Sequence, residues 1–416
     1  MLQAHEMSVK RQAHVVRMAF DDEVLSVIDL PKGALRLTRG PGSGLARRVG
    51  DPPGTFWAIG DRGPNMKIEL AVGRYGLHHL EPFAALDGAK VMPRLDIGPS
   101  ISELRVDGDR VSCIRSLPLR DRGGKRLSGR PIPGGFSEPA FALDGAAIEP
   151  DPAGADTEGL GAAADGTFWV ADEYGPSLLH IASDGTVVAR WVPEGTGRWF
   201  AGADYPVVEA LPAIAIHRQL NRGFEGLALS PDETGLFVAF QSPLASPDMP
   251  EARSARHVRI WKIDLASATV VAEYLYPLDP PDSFRRDTAL GKLRWKDLKI
   301  SELVVLDGNR LLVLERGSAT TKFYSVNVGP RKRVAARYRD MAHNPSIEAM
   351  SREKSLAKSI PVLSKKLAFS TDDHPEISPD LEGVVRLNGN SLLLVNDNDF
   401  GVEGVKTEFW KVTLAL

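Results

Sequence analysis

The sequence contains a single cysteine, Cys113, among 416 residues. One cysteine excludes an internal disulfide and a thiolate metal cluster, and its alternating surroundings predict a small buried apolar side chain. No run of 18 apolar residues is present, so no segment is predicted to span a membrane. Residues 1–7 lack the apolar core of a signal peptide. We therefore expect a cytoplasmic protein, or a periplasmic or secreted one if a leader has been removed.

Several catalytic signatures are also missing. The chain has no Gly-x-Ser-x-Gly elbow, Walker loop, dinucleotide fingerprint or His-Glu-x-x-His motif, which leaves serine-hydrolase and nucleotide-fold mechanisms without support. No strong charge excess is present either, since 51 basic residues face 54 acidic ones. This balance argues against a surface that coats nucleic acid. We expect a monomer that binds neither nucleic acid nor a membrane.

The chain does contain a repeated unit. A carboxylate stands before a glycine or an apolar residue, and a turn and an apolar strand ending in polar residues follow. The copies begin at Asp156-Thr157-Glu158-Gly159-Leu160, Phe224-Glu225-Gly226-Leu227, Ser301-Glu302-Leu303 and Leu381-Glu382-Gly383. A first copy, Ser43-Gly44-Leu45, lacks the acid. Glycine and proline, 39 and 30 residues, are spread along the chain, as is typical of many short strands joined by turns.

The spacing of the repeats predicts a β-propeller. Successive repeat glutamates are 67, 77 and 80 residues apart. The 34 residues after Glu382 and the 44 residues up to Gly44 together make 78, which is close to one more repeat. The N-terminal strand would then complete the C-terminal blade and remove the sheet edges. The prediction is an all-β fold of four-stranded antiparallel blades, with residues 1–416 as a single domain.

The number of blades has two interpretations, because 115 residues separate Gly44 from Gly159. If Ser102-Glu103-Leu104 is a degenerate repeat, the propeller has six blades. If this stretch begins an outer hairpin, five motif-bearing blades remain, with insertions near 64–98 and 120–155. We prefer five, since Asp107-Gly108 then matches the turn Asp184-Gly185, and six stays open. One helix is predicted over Ser346–Lys358, in an excursion near 340–360.

A ring of carboxylates follows from this geometry, because equivalent residues of innermost strands face a common channel. Facing carboxylates repel one another, and a hard cation relieves the repulsion. Oxygen ligands favour Ca²⁺. The predicted metal ligands are Glu158, Glu225, Glu302, Glu382 and Asp172. The alternative for any single glutamate is a turn cap or a partner of an arginine.

A second polar ring is predicted four residues along each following strand. Its members are Asp61, Glu173, Gln241, Glu315 and Asp397, of which the acids are the catalytic candidates. Arg62, Arg222 and Arg316 adjoin these acids and are candidates for binding an anionic substrate. Salt bridges to the same acids are the alternative role. The repeat glycines are interpreted as close-packing residues.

The motifs together resemble a known family, the phytase-like domain or "esterase-like activity of phytase". The resemblance extends from about residue 40 to the C-terminus. It rests on Gly60-Asp61-Arg62-Gly63-Pro64-Asn65, residues 156–160, 171–177, 221–228 and 314–317, and Asn396-Asp397-Asn398-Asp399. It implies a β-propeller relative whose repeated acids carry a phosphoesterase activity. Those acids map onto Asp61, Glu158, Asp172, Glu173, Glu225, Glu302, Glu315, Glu382 and Asp397.

The leading functional hypothesis is a Ca²⁺-dependent hydrolase of a small anionic phosphate ester or related ester, with its site at one mouth of the channel. A binding module with a purely structural cation is the second hypothesis. A metal-dependent lactonase is the third, and it shares the same site. No sequence feature identifies the substrate.

Overall fold

The computed structural model describes residues 13–134, 137–245, 255–291, 293–351 and 360–414. Strands dominate, and the described α-helices are short: α1 (Ile68–Gly73), α2 (Arg285–Leu290) and α3 (Ile347–Met350). None of the described helices has the length and apolarity needed to cross a membrane. The prediction of an all-β class is confirmed. The helix predicted over Ser346–Lys358 is formed in its first turn as α3, and its part from residue 352 onward lies outside the described residues.

The N-terminal third forms two sheets and a hairpin. Its strands are β1 (His14–Met18), β2 (Val24–Leu30), β3 (Gly33–Thr38), β4 (Gly44–Ala46), β5 (Thr55–Ile59), β6 (Met66–Lys67), β7 (Lys90–Val91), β8 (Ser100–Asp107), β9 (Arg110–Pro118) and β10 (Ala140–Phe141). The order β4-β5-β8-β9 makes the first four-stranded sheet, β2 and β3 pair as the hairpin, and β6, β7 and β10 form a small separate sheet.

Four further sheets follow along the chain. The second contains β11 (Thr157–Ala162), β12 (Phe168–Asp172), β13 (Ser177–Ile181), β14 (Val187–Pro193) and β15 (Val207–Leu211); the third contains β16 (Phe224–Leu229), β17 (Gly235–Phe240), β18 (His257–Asp264) and β19 (Thr269–Pro277). The fourth contains β20 (Lys299–Asp307), β21 (Arg310–Arg316), β22 (Thr321–Asn327) and β23 (Lys365–Ser370); the fifth contains β24 (Leu381–Asn388), β25 (Ser391–Asn396), β26 (Phe409–Thr413) and β1. Within these four sheets the pairing is antiparallel, except that β15 adds to the second sheet in parallel with β14.

Two details of pairing bear on the predicted repeat. β1 pairs with β26, so the first and last described strands share one sheet. The stretch Ser102-Glu103-Leu104 lies in β8, the third strand of the first sheet, where Glu103 pairs opposite Trp57 and Arg115. This stretch is therefore part of an outer hairpin and does not form an innermost strand.

The first strands of the five sheets contact one another. β4 contacts β11 and β24, β11 contacts β16, β16 contacts β20, and β20 contacts β24. Their backbones approach so closely that a Cβ on Gly159 would lie 2.3 Å from the carbonyl oxygen of Glu225. A Cβ on Gly226 would lie 2.9 Å from the backbone of Glu302. The interpretation of the repeat glycines as close-packing residues is confirmed at these two positions.

The hydrophobic core lies between neighbouring sheets. Trp57 of the first sheet meets Phe168 of the second edge to face, with 4.9 Å between ring centroids. Trp410 of the fifth sheet is buried against strands of the fourth, and Phe409 on the opposite face is buried against the first. Alternation along β26 therefore buries both of its faces, one against each neighbouring sheet.

We predict that Gly159→Ala lowers stability by about 1–3 kcal/mol, because the added methyl group must displace the backbone of the neighbouring strand. The matched control is Gly308→Ala. Gly308 has nothing within 4 Å of an added Cβ, so we expect its change within about 0.5 kcal/mol of zero or slightly stabilising. Denaturant unfolding measures both variants. Equal stabilities for the two would contradict the close approach of the inner strands.

Candidate active site

Three of the repeat glutamates meet where the inner strands begin. Glu158, Glu225 and Glu382 are the second residues of β11, β16 and β24, and one carboxylate oxygen of each lies within 4.8 Å of the others. In all three strands the pairing register shifts at the glutamate. A bulge leaves its extra residue unpaired and re-aims the side chain, so the three carboxylates turn toward one point.

Serine occupies the equivalent position in the other two sheets. In β20 the register shift lies at Ser301, one residue before the repeat glutamate. Counting two residues back from the paired leucine of β4 gives Ser43. The hydroxyl of Ser301 donates to Oε1 of Glu225 at 3.3 Å. The ring at this level therefore contains three glutamates and two serines.

The structure places Glu302, predicted as a metal ligand, apart from the three glutamates because of that one-residue shift. Glu302 is paired within the ladder and is fully buried. Its carboxylate accepts backbone N–H groups from Leu303 at 2.9 Å, Leu227 at 3.2 Å and Leu45 at 3.3 Å. Burial raises the pKa of Glu302, against the effect of these donors. Its role is to hold three inner strands together.

The assignment of Glu315 to the second ring is wrong for the same reason. Its carboxylate points to the opposite face of β21 and accepts from Lys365 Nζ at 2.6 Å, Tyr276 Oη at 2.7 Å and the Asp279 N–H at 2.6 Å. Arg316 takes the position in the ring instead. It pairs with Glu382 and donates to Asp380 at 2.8 Å. Burial opposes the charge of Arg316, but these carboxylates raise its pKa above the ordinary value.

Asp172, the fifth predicted metal ligand, has both oxygens occupied by partners within the protein. Oδ2 accepts from Arg190 and Ser177, each at 2.6 Å, and Oδ1 accepts the backbone N–H of Asp156 at 2.7 Å. Both charged side chains are fully buried. The pair fixes the end of β12 and has no oxygen directed at the cluster.

Three acids of the predicted second ring do lie beside the glutamates. One carboxylate oxygen of Asp61 lies within 4.8 Å of a carboxylate oxygen of Glu158. Asp61 also forms a group with Asp397 and Asp399, in which one oxygen of each lies within 4.8 Å of the others. Glu173 is 1% exposed, and its Oε1 has no hydrogen-bond partner among the described residues. Burial raises the pKa of Glu173 to about 7, although Arg62 partly opposes the rise.

Asp156 belongs to the cluster although sequence reasoning did not assign it to the site. Asp61, Asp156 and Glu158 each have one oxygen within 4.8 Å of the others. Asp156 is fully buried, and burial raises its pKa well above the ordinary value. The signal was available, because Asp156 stands two residues before Glu158 and a period of two places both on one face of a strand.

Neighbouring carboxylates repel one another at Glu158 and Glu225. Burial raises the pKa of Glu158 well above its ordinary value, and the neighbouring Glu225 and Asp61 raise it further. Burial likewise raises the pKa of Glu225, with a further rise from Glu173. The ionised forms of these groups therefore require a positive charge between them.

The three predicted arginines divide into two kinds. Arg62 is buried, and its guanidinium contacts Asp156 at 2.6 Å, Glu138 at 3.0 Å and Asn221. Its donors, like those of Arg316, are directed at partners within the protein, which confirms the salt-bridge alternative for both. Arg222 is partly exposed and donates from Nη1 to Ser242 at 3.2 Å.

Lys299 is a further cation beside the acids, and sequence reasoning did not assign it to the site. It begins β20 and is partly buried. Burial lowers its pKa, and Glu382 and Glu225 oppose that change. Its position two residues before Ser301 gives the same period-two signal as Asp156.

The opposite ends of the inner strands enclose a cavity of about 410 Å³. Aliphatic residues of all five inner strands line it, with Arg47 and Arg386 among them, and no carboxylate belongs to its described lining. Glu302 lies between this cavity and the glutamates, bonded to backbone groups of the lining residues Leu45 and Leu227. The acidic chemistry is therefore confined to the end where the inner strands begin.

Comparison with known proteins gives one family and several distant likenesses. The model of the Phytase-like family, described as "Esterase-like activity of phytase", matches residues 40–400. An uncharacterized secreted protein of Arthroderma benhamiae is 28% identical over 245 residues, which are 52% of this chain and 45% of that relative, so the chain spans about half of the relative's length.

Solved structures with similar shape include two propeller-like chains. The PQQ-bound aldose sugar dehydrogenase of Streptomyces coelicolor is 11% identical, with a TM-score of 0.35 and coverage of 97% of this chain and 98% of that one. The Cps50 (Swd1) β-propeller domain of Myceliophteria thermophila is 10% identical, with a TM-score of 0.33 and coverage of 94% and 99%. At these scores neither likeness bears on the chemistry of this chain.

We predict that Asp172→Asn lowers stability by about 3–5 kcal/mol, because it leaves the buried charge of Arg190 unpaired. The number of cations bound by the folded variant should not change. The control is Asp373→Asn, in an exposed pair with Arg285, where about 0–1 kcal/mol is expected. Denaturant unfolding and Ca²⁺ titration test both. Loss of Ca²⁺ binding at unchanged stability would make Asp172 a ligand.

Proposed function

The chain belongs to the Phytase-like family, and from this membership and the carboxylate cluster we propose that it is a Ca²⁺-dependent hydrolase. Its substrate would be a small anionic molecule with a phosphate ester or a related ester bond. The site would lie where β11, β16 and β24 begin. Membership supports the ester chemistry, and the cluster supports the cation.

The observation that carries the proposal is the convergence of Glu158, Glu225 and Glu382. Glu382 is paired with Arg316, whereas Oε2 of Glu225 is buried without a hydrogen-bond partner among the described residues. Oxygens within 4.8 Å of one another can share an ion that binds at about 2.3–2.6 Å. The donor set consists of oxygen alone, which fits Ca²⁺ better than Zn²⁺ or Cu²⁺.

The neighbouring side chains would divide the chemistry among them. Glu173, with its pKa raised to about 7, would accept the proton of an attacking water near neutral pH. Arg222 and Lys299 would attract the anionic group of the substrate. Arg62 and Arg316 would hold the acids in position through the contacts that they already make. Bound Ca²⁺ supplies polarisation of the ester oxygen and a lower pKa for a bound water.

We propose further that the five sheets are the blades of a closed five-bladed propeller. Support comes from the chain of contacts among β4, β11, β16, β20 and β24, which returns to its starting strand. Further support comes from the pairing of β1 with β26 and from the apolar contacts between the fifth and first sheets. In such a ring the glutamates would face one another at one mouth of the channel.

The compartment is proposed from the relative of Arthroderma benhamiae, which is described as secreted. We propose that this chain also works outside the cytoplasm. A weak Ca²⁺ site would suffice there, since extracellular modules bind the ion with dissociation constants of about 10⁻⁴–10⁻³ M.

A binding module with a structural cation is the second candidate. The observation that favours it is that Glu158, Glu225 and Glu382 come from three different sheets. An ion held by all three would tie those sheets together whether or not a substrate reacts there.

We predict that EDTA abolishes hydrolysis of chromogenic phosphate substrates and lowers the melting temperature, because the facing carboxylates then repel one another. Added Ca²⁺ should restore both. The measurements are release of nitrophenol and thermal unfolding. Absence of turnover with phosphomonoesters, phosphodiesters, carboxyl esters and lactones in the presence of Ca²⁺ would reject the hydrolase.

We predict different results for two isosteric variants at the site. Glu173→Gln should reduce kcat by about 10²-fold or more while the rise of melting temperature with Ca²⁺ remains. Glu225→Gln should weaken that rise, since it removes a ligand charge. Full turnover in Glu173→Gln would show that Glu173 is not the base. A rise of melting temperature with Ca²⁺ but no turnover in the wild type would favour the second candidate.

A further inference from the structure

One glutamate belongs to two acidic groups, and this arrangement suggests that the site binds more than one ion. Glu158 belongs to the group with Glu225 and Glu382 and also to the group with Asp61 and Asp156. It is 7% exposed, and the neighbouring carboxylates Glu225, Asp61, Asp156 and Glu382 all oppose its ionisation. A carboxylate has two oxygens and can therefore bridge two cations.

The second group contains a buried oxygen that lacks a donor. Asp156 is fully buried, and Arg62 approaches its Oδ2 at 2.6 Å as an ion pair. Oδ1 has no hydrogen-bond partner among the described residues. An unsatisfied buried carboxylate oxygen is costly, and a coordinated cation would remove that cost.

One carboxylate oxygen of Asp61 and one of Asp156 lie within 4.8 Å of each other. Two ionised carboxylates this close repel one another, and a cation between them relieves the repulsion. Asp61 is 7% exposed, and its Oδ2 accepts a hydrogen bond from Asn65 at 3.3 Å. The amide of Asn65 therefore orients the carboxylate of Asp61 toward that of Asp156.

The positive charges already present do not balance this group. Arg62 contacts Asp61, Glu138 and Asp156, and Lys90 is a second cation near the same acids. With Glu158 included, two positive side chains face four carboxylates, so the group keeps an excess of negative charge that a cation would offset.

We propose that the site binds two Ca²⁺ ions, one held by Glu158, Glu225 and Glu382 and a second held by Asp61, Asp156 and Glu158, with Glu158 as the bridge. The inference rests on the first ion of the proposed function, because Glu158 is common to both.

A third acidic group consists of Asp61, Asp397 and Asp399, and we assign no ion to it. Asp397 is partly exposed and Asp399 is exposed, and neither has a buried oxygen without a donor.

The test counts bound ions on the full chain by equilibrium dialysis against Ca²⁺ alone. The wild type should bind two ions. Asp156→Asn and Glu225→Gln should each bind one, and the double variant none. Asp399→Asn is the matched control: it shares the neighbour Asp61 but belongs to the third group, so two ions should remain. Circular dichroism verifies that each variant is folded.

The outcomes separate the two proposals. One ion in the wild type, together with Ca²⁺-dependent turnover, overturns the second site and leaves the hydrolase intact. No bound ion overturns both. Loss of an ion in Asp399→Asn with two ions retained in Asp156→Asn also overturns the assignment, since the second ion would then lie at the exposed acids.

A crystal of the wild type grown with Ca²⁺ needs no variant and remains decisive if Asp156→Asn does not fold. Anomalous scattering should show two peaks about 3.5–4 Å apart, both within coordination distance of Glu158. A single peak, or two peaks that do not share Glu158, overturns the proposal.

Discussion

Repulsion between buried carboxylates is the constraint on which the centre of this molecule depends. The inner strands can approach closely because glycine stands where a side chain would collide with the neighbouring backbone. That approach brings Glu158 and Glu225 together in a buried place where neither is readily ionised. Arg62 and Arg316 neutralise part of the charge. The sheets and the acidic cluster are thus energetically coupled, because the packing that stabilises one concentrates charge in the other.

The strands were predictable because their signals are local. An apolar run between glycine-containing turns specifies a strand wherever it falls, and the regular spacing of the copies predicted sheets of four strands. Four of the five sheets have four strands, and the second has a fifth, β15. The position of each side chain relative to the cluster was less predictable. In β20 the bulge lies at Ser301, one residue earlier than the alignment of glutamates implies. A slip of one residue exchanges the two faces of a strand, and for this reason both Glu302 and Glu315 were misplaced.

Prediction from the sequence was also limited for charged residues whose partners lie within the protein. Asp172 resembles a ligand until Arg190, on a different strand of the same sheet, is seen to occupy it. Which of two adjacent acids is satisfied by the protein depends on pairing across strands, and no local pattern contains that information. Asp156 and Lys299 were recoverable, since each stands two residues before a member of the ring. The repeat motif drew attention to the glutamates and away from their neighbours on the same face.

The sharing of one sheet by β1 and β26 has a consequence for biosynthesis. Residues 14–18 are synthesised long before residues 409–413, with which they pair. Until β26 has been synthesised, β1 lacks this partner strand, and its backbone groups are open to pairing with other nascent chains. Contacts so distant in sequence also form slowly, because a long loop must close before they stabilise anything. The fifth sheet therefore cannot be completed until β26 has been synthesised, and β1 remains without this partner until then.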